Sequence, residues 1–178
     1  MGIFKAIFGV VKEIRQSKRK CEEYKQMTDS QLSALDDEEL FDAVWNVLSY
    51  DIDEPNDVAN DCQKVFYTLS YFEMEVNNGG LCQFFVNSSR EWAIYVSDSL
   101  NVIKADKIKK IFDEFVMTNN IDLNNLDSFI IEDVSEFEIQ NKRYDFDSFD
   151  DYFYENNEIH QLLIDYARNN IDKLILRN

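Results

Sequence analysis

Glycine and proline are scarce in this chain, and their scarcity limits the folds that it can adopt. Only four glycines and one proline occur among 178 residues. The repeated tight turns of a β-meander draw on these two residue types, whereas long helices need few of them. The length suits one domain with a sizeable core. We therefore expect an all-α fold, a compact single-domain bundle of about seven to eight helices.

Apolar spacing supports helices along most of the chain. Residues 56–78 give the clearest pattern, in which apolar side chains recur every three or four positions. These side chains are Val58, Cys62, Val65, Phe66, Leu69, Phe72 and Val76. Such a stripe is typical of a helix that buries one face.

Capping residues mark the starts of further helices. Asp36, with Glu39 three residues later, resembles a capping box in which Asp replaces Ser or Thr. Ser88 or Ser89 is expected to cap the helix that follows. Residues 121–143 are less regular and fit either a helix or short strands.

Two adjacent glycines, Gly79 and Gly80, follow the clearest helix. Glycine just past the last periodic residue can adopt the left-handed conformation that ends a helix. We expect the pair to end this helix and turn the chain sharply into the next. Gln83 and Asn87 are expected to bond backbone groups exposed at this corner. The predicted structural motif consists of Asn78, Gly79, Gly80, Gln83, Phe84, Phe85 and Asn87.

The charge of the chain is strongly negative, with 35 acidic and 18 basic residues and a net charge of −17. This balance opposes direct binding to nucleic acid or to anionic lipid and suits a basic protein partner. The acids concentrate in two blocks. Eleven acids and no Lys or Arg lie in residues 29–61, and twelve acids with two basic residues lie in residues 122–158.

The first twenty residues differ from the rest because they contain six basic residues and one acid. We divide the chain into a basic amphipathic N-terminal helix, residues 1–27, and an acidic all-α domain, residues 28–178. The helix either packs on an acidic protein surface or lies on an anionic membrane through residues 1–20. We favour packing. Its apolar face consists of Ile3, Phe4, Ile7, Phe8, Val11 and Ile14.

Residues suited to catalysis or metal binding are few. His160 is the only histidine, and its apolar neighbours predict a structural or surface role. Glu73 and Glu75 could form an acid–base pair, but such pairs arise by chance among 35 acids. No secretory signal is evident, so we expect a cytoplasmic protein. Because residues suited to chemistry are few, we also expect no enzymatic activity, cofactor or metal. Three cysteines predict free thiols and no disulfide: Cys21, Cys62 and Cys82.

The segment NGGLCQFFVNS, residues 78–88, resembles the signature Asn-Gly-Gly-x-x-Gln-aromatic-aromatic-x-Asn-Ser/Thr of the bacterial DNA-mimic-protein-like family. The stretch DSFDDYFY, residues 147–154, resembles the C-terminal part of that family. The likeness extends in order over residues 36–172. It implies a compact all-α fold and, for some members, an acidic surface that occupies the DNA-binding face of a transcription factor. It implies no catalytic residue.

The leading hypothesis is a non-enzymatic acidic protein that occupies the basic site of a DNA-binding protein. Helical residues four apart are separated by about 6 Å, and each DNA strand presents one charge per roughly 3.4 Å of axis. A carboxylate-rich helix can therefore imitate a run of phosphates. The predicted partner-binding residues are Asp36, Asp37, Glu38, Glu39, Asp53, Glu54, Asp57, Asp147, Asp150 and Asp151.

Two alternative functions use the same sequence features. One is an immunity-type protein that neutralises a basic toxin nuclease. The other is an adaptor held at a membrane surface by residues 1–20. A homodimer is compatible with each of the three hypotheses.

Overall fold

The computed structural model of the protein describes residues 16–177, except for the side chain of Val134. The expected all-α class is confirmed, because these residues form α-helices and three short 3₁₀ turns and contain no strand. Eight of the ten α-helices have at least seven residues, which matches the expected number. The helices are α1 (described over residues 16–26), α2 (Asp29–Ser33), α3 (Asp37–Asp51), α4 (Asp61–Val86), α5 (Ala93–Ile103), α6 (Asp106–Thr118), α7 (Val134–Asn141), α8 (Phe146–Asn156), α9 (Ile159–Arg168) and α10 (Ile171–Leu174).

Residue contacts divide the chain into two compact units. The first unit comprises the described residues of Met1–Gln63 and Ile164–Asn178, and the second is Lys64–Leu163. The predicted division after residue 27 stays a prediction. The apolar face predicted for residues 3–14 lies outside the described residues.

In the first unit, capping side chains set where two helices begin. Thr28 and Gln31 form a reciprocal capping box at the start of α2. Asp36 caps α3 as predicted, because its carboxylate accepts a hydrogen bond of 2.8 Å from the backbone N–H of Glu39. Five side chains form the buried face of α3: Leu40, Ala43, Val44, Val47 and Leu48.

The C-terminal segment of the first unit is attached to the start of α4 by two long-range hydrogen bonds. The amide of Asn60 donates to the carbonyl of Lys173 at 2.8 Å, and the amide of Gln63 donates to the carbonyl of Leu174 at 3.0 Å. Gln63 is itself buried, so its polar groups need partners inside the protein. These two bonds hold α10 against the first turn of α4 and the residue before it.

In the second unit, α4 is the central helix. Every residue from 65 to 70 is buried, so this part of the helix is covered on all sides. One turn later, Phe72 meets three aromatic rings edge-to-face, with centroid distances of 5.0–5.9 Å. These rings belong to Phe84, Phe112 and Phe153. They come from the far end of α4, from α6 and from α8, so this cluster joins three parts of the unit.

One open alternative about local structure is resolved in favour of a helix, and one expectation was wrong. Residues 121–143 contain no strand; they form a 3₁₀ turn, Asp127–Phe129, followed by α7. Asp133 caps α7, because its carboxylate accepts a hydrogen bond from the N–H of Ser135. Ser88 and Ser89 do not cap α5 and instead begin a 3₁₀ turn, Ser88–Trp92. Ser89 is fully buried and donates its hydroxyl to the carbonyl of Phe84.

Candidate functional site

The two glycines form a break inside α4, and they differ in backbone conformation. Gly79 has a φ of −167°, which is extended backbone open to any residue, whereas Gly80 has a φ of +78° and a ψ of 177°. The second combination strongly favours glycine. A Cβ added at Gly80 would also collide with the carboxylate of Asp150 on α8. The break therefore places the backbone of α4 directly against α8.

Asp150 holds this contact together. Its Oδ1 accepts a hydrogen bond of 2.8 Å from the backbone N–H of Leu81, the first residue after the glycines. Burial raises the pKa of Asp150 to about 6, the Leu81 bond opposes that rise, and the nearby charges of Asp147 and Asp151 add to it. Asp150 is thus a partner-binding candidate whose carboxylate is already engaged within the second unit.

Glu75 lies on the other side of the corner and is 6% exposed. Its Oε2 accepts hydrogen bonds from the side-chain amides of Gln83 at 2.7 Å and Asn87 at 2.8 Å. We expected these two amides to bond exposed backbone groups, and that expectation was wrong. The two amides bond Glu75 rather than the backbone because a buried carboxylate without hydrogen-bond donors raises the free energy of the folded state by several kcal/mol.

The remaining motif residues divide between core and surface. Phe84 and Phe85 are fully buried, and the ring of Phe85 stacks on that of Phe129 at 4.8 Å. Asn78 is exposed. The aromatic pair thus anchors the chain after the corner in the core of the second unit.

Glu73, two residues before Glu75, points to a different side of α4, because successive helical residues are about 100° apart. It is 7% exposed and accepts a hydrogen bond of 2.6 Å from the amide of Asn157. Its Oε2 lies 3.9 Å from Nδ1 of His160. Burial raises the pKa of Glu73, and the Asn157 amide and the His160 ring and backbone N–H oppose that rise. The two glutamates therefore act as separate anchors rather than as an acid–base pair.

The acids at the start of α3 are exposed, but one of them is neutralised. The guanidinium of Arg168 donates from Nε to Oδ1 of Asp37 at 2.8 Å, and its Nη2 contacts the same oxygen. The other predicted acids here are exposed: Asp36, Glu38 and Glu39. The basic partner of Asp37 comes from a distant part of the sequence, so the absence of Lys and Arg from residues 29–61 does not keep that block free of cations.

Three further acids follow the end of α3. Oδ2 of Asp57 accepts hydrogen bonds from the backbone N–H groups of Asp53 at 3.0 Å and Glu54 at 2.9 Å. These bonds lower the pKa of Asp57, the Glu54 bond most. A helix of 15 residues is about 22 Å long, so this group and the acids at the start of α3 lie at opposite ends of it.

The predicted acids on α8 point in different directions. Asp147 and Asp151 are exposed, while Asp150 turns inward beside the buried Phe149 and Phe153. Glu155 is also exposed and follows Asp151 by four residues. Asp147, Asp151 and Glu155 therefore lie along one face of α8, which we name the α8 stripe. Its axial spacing is about 6 Å per carboxylate.

A metal centre is not apparent in the part of the chain that the structure describes, where no three His, Cys, Asp or Glu residues are grouped to hold an ion. All three cysteines are free. Burial raises the pKa of Cys82 to about 12, and the charge of Asp150 adds to the rise, so this thiol stays protonated at neutral pH. Over residues 16–177, no helix has both the length and the apolar character for a membrane span.

Comparison with protein families gives one match. The family model for DMP19-like protein matches residues 57–170, which is more than half of the chain. The chain belongs to the DMP19-like protein family. This result confirms the resemblance to DNA-mimic proteins that the motif at residues 78–88 indicated. Neither the curated proteins nor the solved structures give a significant match.

The DMP19-like region contains the corner, its buried glutamates and all of α8. It begins at Asp57, so the acids at the start of α3 and the pair Asp53 and Glu54 lie outside it. Among the residues that the sequence had not assigned to the site, Tyr154 donates its hydroxyl to the carbonyl of Val76 at 2.7 Å. The DMP19-like corner is therefore fastened to α8 at two positions, Asp150 and Tyr154.

Proposed function

We propose that this member of the DMP19-like family is a non-enzymatic binding protein that occupies the basic site of a DNA-binding protein. The α8 stripe is the observation that best supports this proposal. Asp147, Asp151 and Glu155 are exposed, share one helical face and are fixed by the attachment of α8 to the corner. Fixed carboxylates lose little conformational entropy when a cationic surface binds them.

The acids near α3 contribute less to this proposal. Asp37 is already bonded to Arg168, and the remaining predicted acids there are divided between the two ends of the helix. In contrast, the stripe has no Lys or Arg within ion-pair distance among the described residues. Its carboxylates are about half as dense along their axis as the phosphates of one DNA strand. The proposal therefore assigns the main contact to the stripe and a supporting role to the exposed acids near α3.

Competition with DNA tests this function. The full chain is immobilised and incubated with a bacterial lysate at low salt, and the bound proteins are eluted with duplex DNA. We expect DNA to release a basic DNA-binding protein, and we expect higher salt to prevent its capture because exposed charges are screened. The triple variant Asp147→Asn, Asp151→Asn and Glu155→Gln should capture much less of that protein.

A matched variant controls for net charge. Asp106→Asn, Asp122→Asn and Glu132→Gln remove the same number of charges from exposed acids of the second unit outside the stripe. This control should capture the partner almost as well as the unmodified protein. If both triple variants lose capture equally, the total charge and not the stripe is responsible. If duplex DNA releases no protein at low salt, the DNA-mimic function is wrong.

A further inference from the structure

A groove in the second unit lies apart from the corner and from the α8 stripe. It has a volume of about 440 Å³ and is formed by the 3₁₀ turn Ser88–Trp92, the start of α5 and the segment 123–130. Two isoleucines line it with exposed side chains, Ile94 at 41% and Ile130 at 52%. Single exposed apolar residues are common on protein surfaces, whereas these two line the same concavity and can contact one partner together.

The same face of α5 continues beyond the groove. Asp98 follows Ile94 by four residues, and Val102 follows Asp98 by four, so the three side chains share one face. Asp98 is exposed, and Val102 is 50% exposed. The two apolar positions are about 12 Å apart along the helix axis. An apolar side chain thus projects at each end of this face, with a carboxylate between them.

Charged residues at the groove give it a negative character. Glu91 and Asp127 line it and are exposed. Arg90 also lines it, but its Nη1 donates to the carbonyls of Val86 and Asn87, both at 2.9 Å, which holds the guanidinium against the backbone. Together with Asp98, these acids outnumber the single base that lines the groove, while Arg143 lies nearby and donates to the carbonyl of Ser128 at 3.2 Å. The surface therefore combines apolar contacts with charge complementary to a cationic partner.

We propose that this groove and the adjoining face of α5 bind a basic amphipathic helix of a partner protein. Apolar residues about two turns apart on such a helix match the spacing of Ile94 and Val102, and Lys or Arg between them meets Asp98, Glu91 and Asp127. The inference rests on the proposed function only in that the partner is basic. It adds a second surface, at which apolar contacts supply affinity that salt does not screen.

Two synthetic peptides of equal charge test this surface against the full chain by fluorescence anisotropy. One is a helical peptide of Leu and Lys with about 18 residues, and the other replaces every Leu with Ser. The double variant Ile94→Ser and Ile130→Ser should bind the Leu/Lys peptide about tenfold more weakly and bind the Lys/Ser peptide unchanged. Both substitutions fall on exposed side chains, and thermal melting checks that the variant is folded.

Ile139→Ser is the matched control, because Ile139 is 71% exposed on α7 and does not line the groove. It should leave the binding of both peptides unchanged. The inference is overturned if Ile139→Ser weakens binding as much as the double variant, or if the unmodified protein binds both peptides equally. In the latter case the acidic binding function stands without the groove. If neither peptide binds at low salt, the groove proposal fails, while the DNA-mimic function is judged separately by the release experiment with duplex DNA.

Discussion

The carboxylate of Asp150 on α8 accepts the backbone N–H of Leu81 at 2.8 Å, across 69 residues of sequence. The neighbouring Gly80 has no Cβ to obstruct this contact. Four residues further along α8, the hydroxyl of Tyr154 bonds the carbonyl of Val76. The two bonds fix how α8 is rotated about its own axis. They thereby determine that the α8 stripe faces outward, so a structural corner sets the geometry of a surface.

Replacing Gly80 tests how strongly the corner depends on glycine. Gly80→Ala should lower the free energy of unfolding by about 3 kcal/mol, because a φ of +78° with an extended ψ disfavours any Cβ and because that Cβ meets Asp150. Urea denaturation measures the change. Gly79→Ala should cost less, about 1 kcal/mol, since its φ is not positive and its Cβ displaces the Gln83 side chain, which then loses its hydrogen bond to Glu75. Equal losses in the two variants would contradict this account.

Asp150 should make stability depend on pH near 6. Because its pKa is raised from 3.8 to about 6 in the folded protein, protonation favours the folded state. That contribution is complete below about pH 4 and is lost as the pH rises through 6. Asp150→Asn removes the titration while its amide oxygen can still accept the N–H of Leu81.

The comparison between the two proteins isolates this single group. Relative to the unmodified protein, Asp150→Asn should gain about 2 kcal/mol in free energy of unfolding between pH 4 and pH 7. Urea titrations at several pH values measure the difference. Other groups titrate in both proteins and cancel. A difference that stays constant across this range would show that Asp150 does not titrate there.

Glu75 should contribute more to stability than the exposed acids of this chain do. Glu75→Ala removes a buried carboxylate that accepts from two partly buried amides, and it should lower the free energy of unfolding by about 3 kcal/mol. Glu75→Gln should cost about 1 kcal/mol, since one amide oxygen can still accept both donors, as Oε2 does, but without the negative charge that strengthens these bonds. Glu155→Ala, at an exposed position, should change stability by less than about 0.5 kcal/mol. A Glu75→Ala loss as small as the Glu155→Ala change would rule out an anchoring role.

The Arg168–Asp37 ion pair should stabilise the first unit measurably. Arg168→Ala should lower the free energy of unfolding by about 1 kcal/mol at low salt, because its guanidinium also donates to the carbonyl of Leu35 at 3.2 Å. The loss should shrink at about 1 M salt. Lys142→Ala breaks the exposed pair with Glu138 at 3.7 Å and should have almost no effect. Similar losses in both variants, independent of salt, would contradict an electrostatic origin.

Local sequence rules accounted for the elements whose determinants are local. The cap at Asp36, the apolar stripe of residues 56–78 and the break at Gly79 and Gly80 depend on residues within a few positions of one another. The all-α class followed from the same kind of information. Such features can be read from spacing because the chain itself brings the interacting groups together.

The candidate site was harder to predict because its decisive contacts are long-range. Nothing near Asp150 in the sequence points to Leu81, and nothing near Asp37 points to Arg168. Glu75 gave one local signal: it lies among the apolar positions of the clearest helix, where an acid needs hydrogen-bond donors. Gln83, after the break in α4, and Asn87, just past the end of that helix, supply them.

The close approach of Gly80 to Asp150 also limits how this family can diversify. A relative that acquires a side chain at the position of Gly80 needs a local change of backbone conformation, a smaller residue at the position of Asp150 and another acceptor for the N–H of Leu81. Either change alone leaves a steric overlap or an unsatisfied amide. Substitutions at the two positions should therefore arise together in evolution, although 70 residues separate them in the chain.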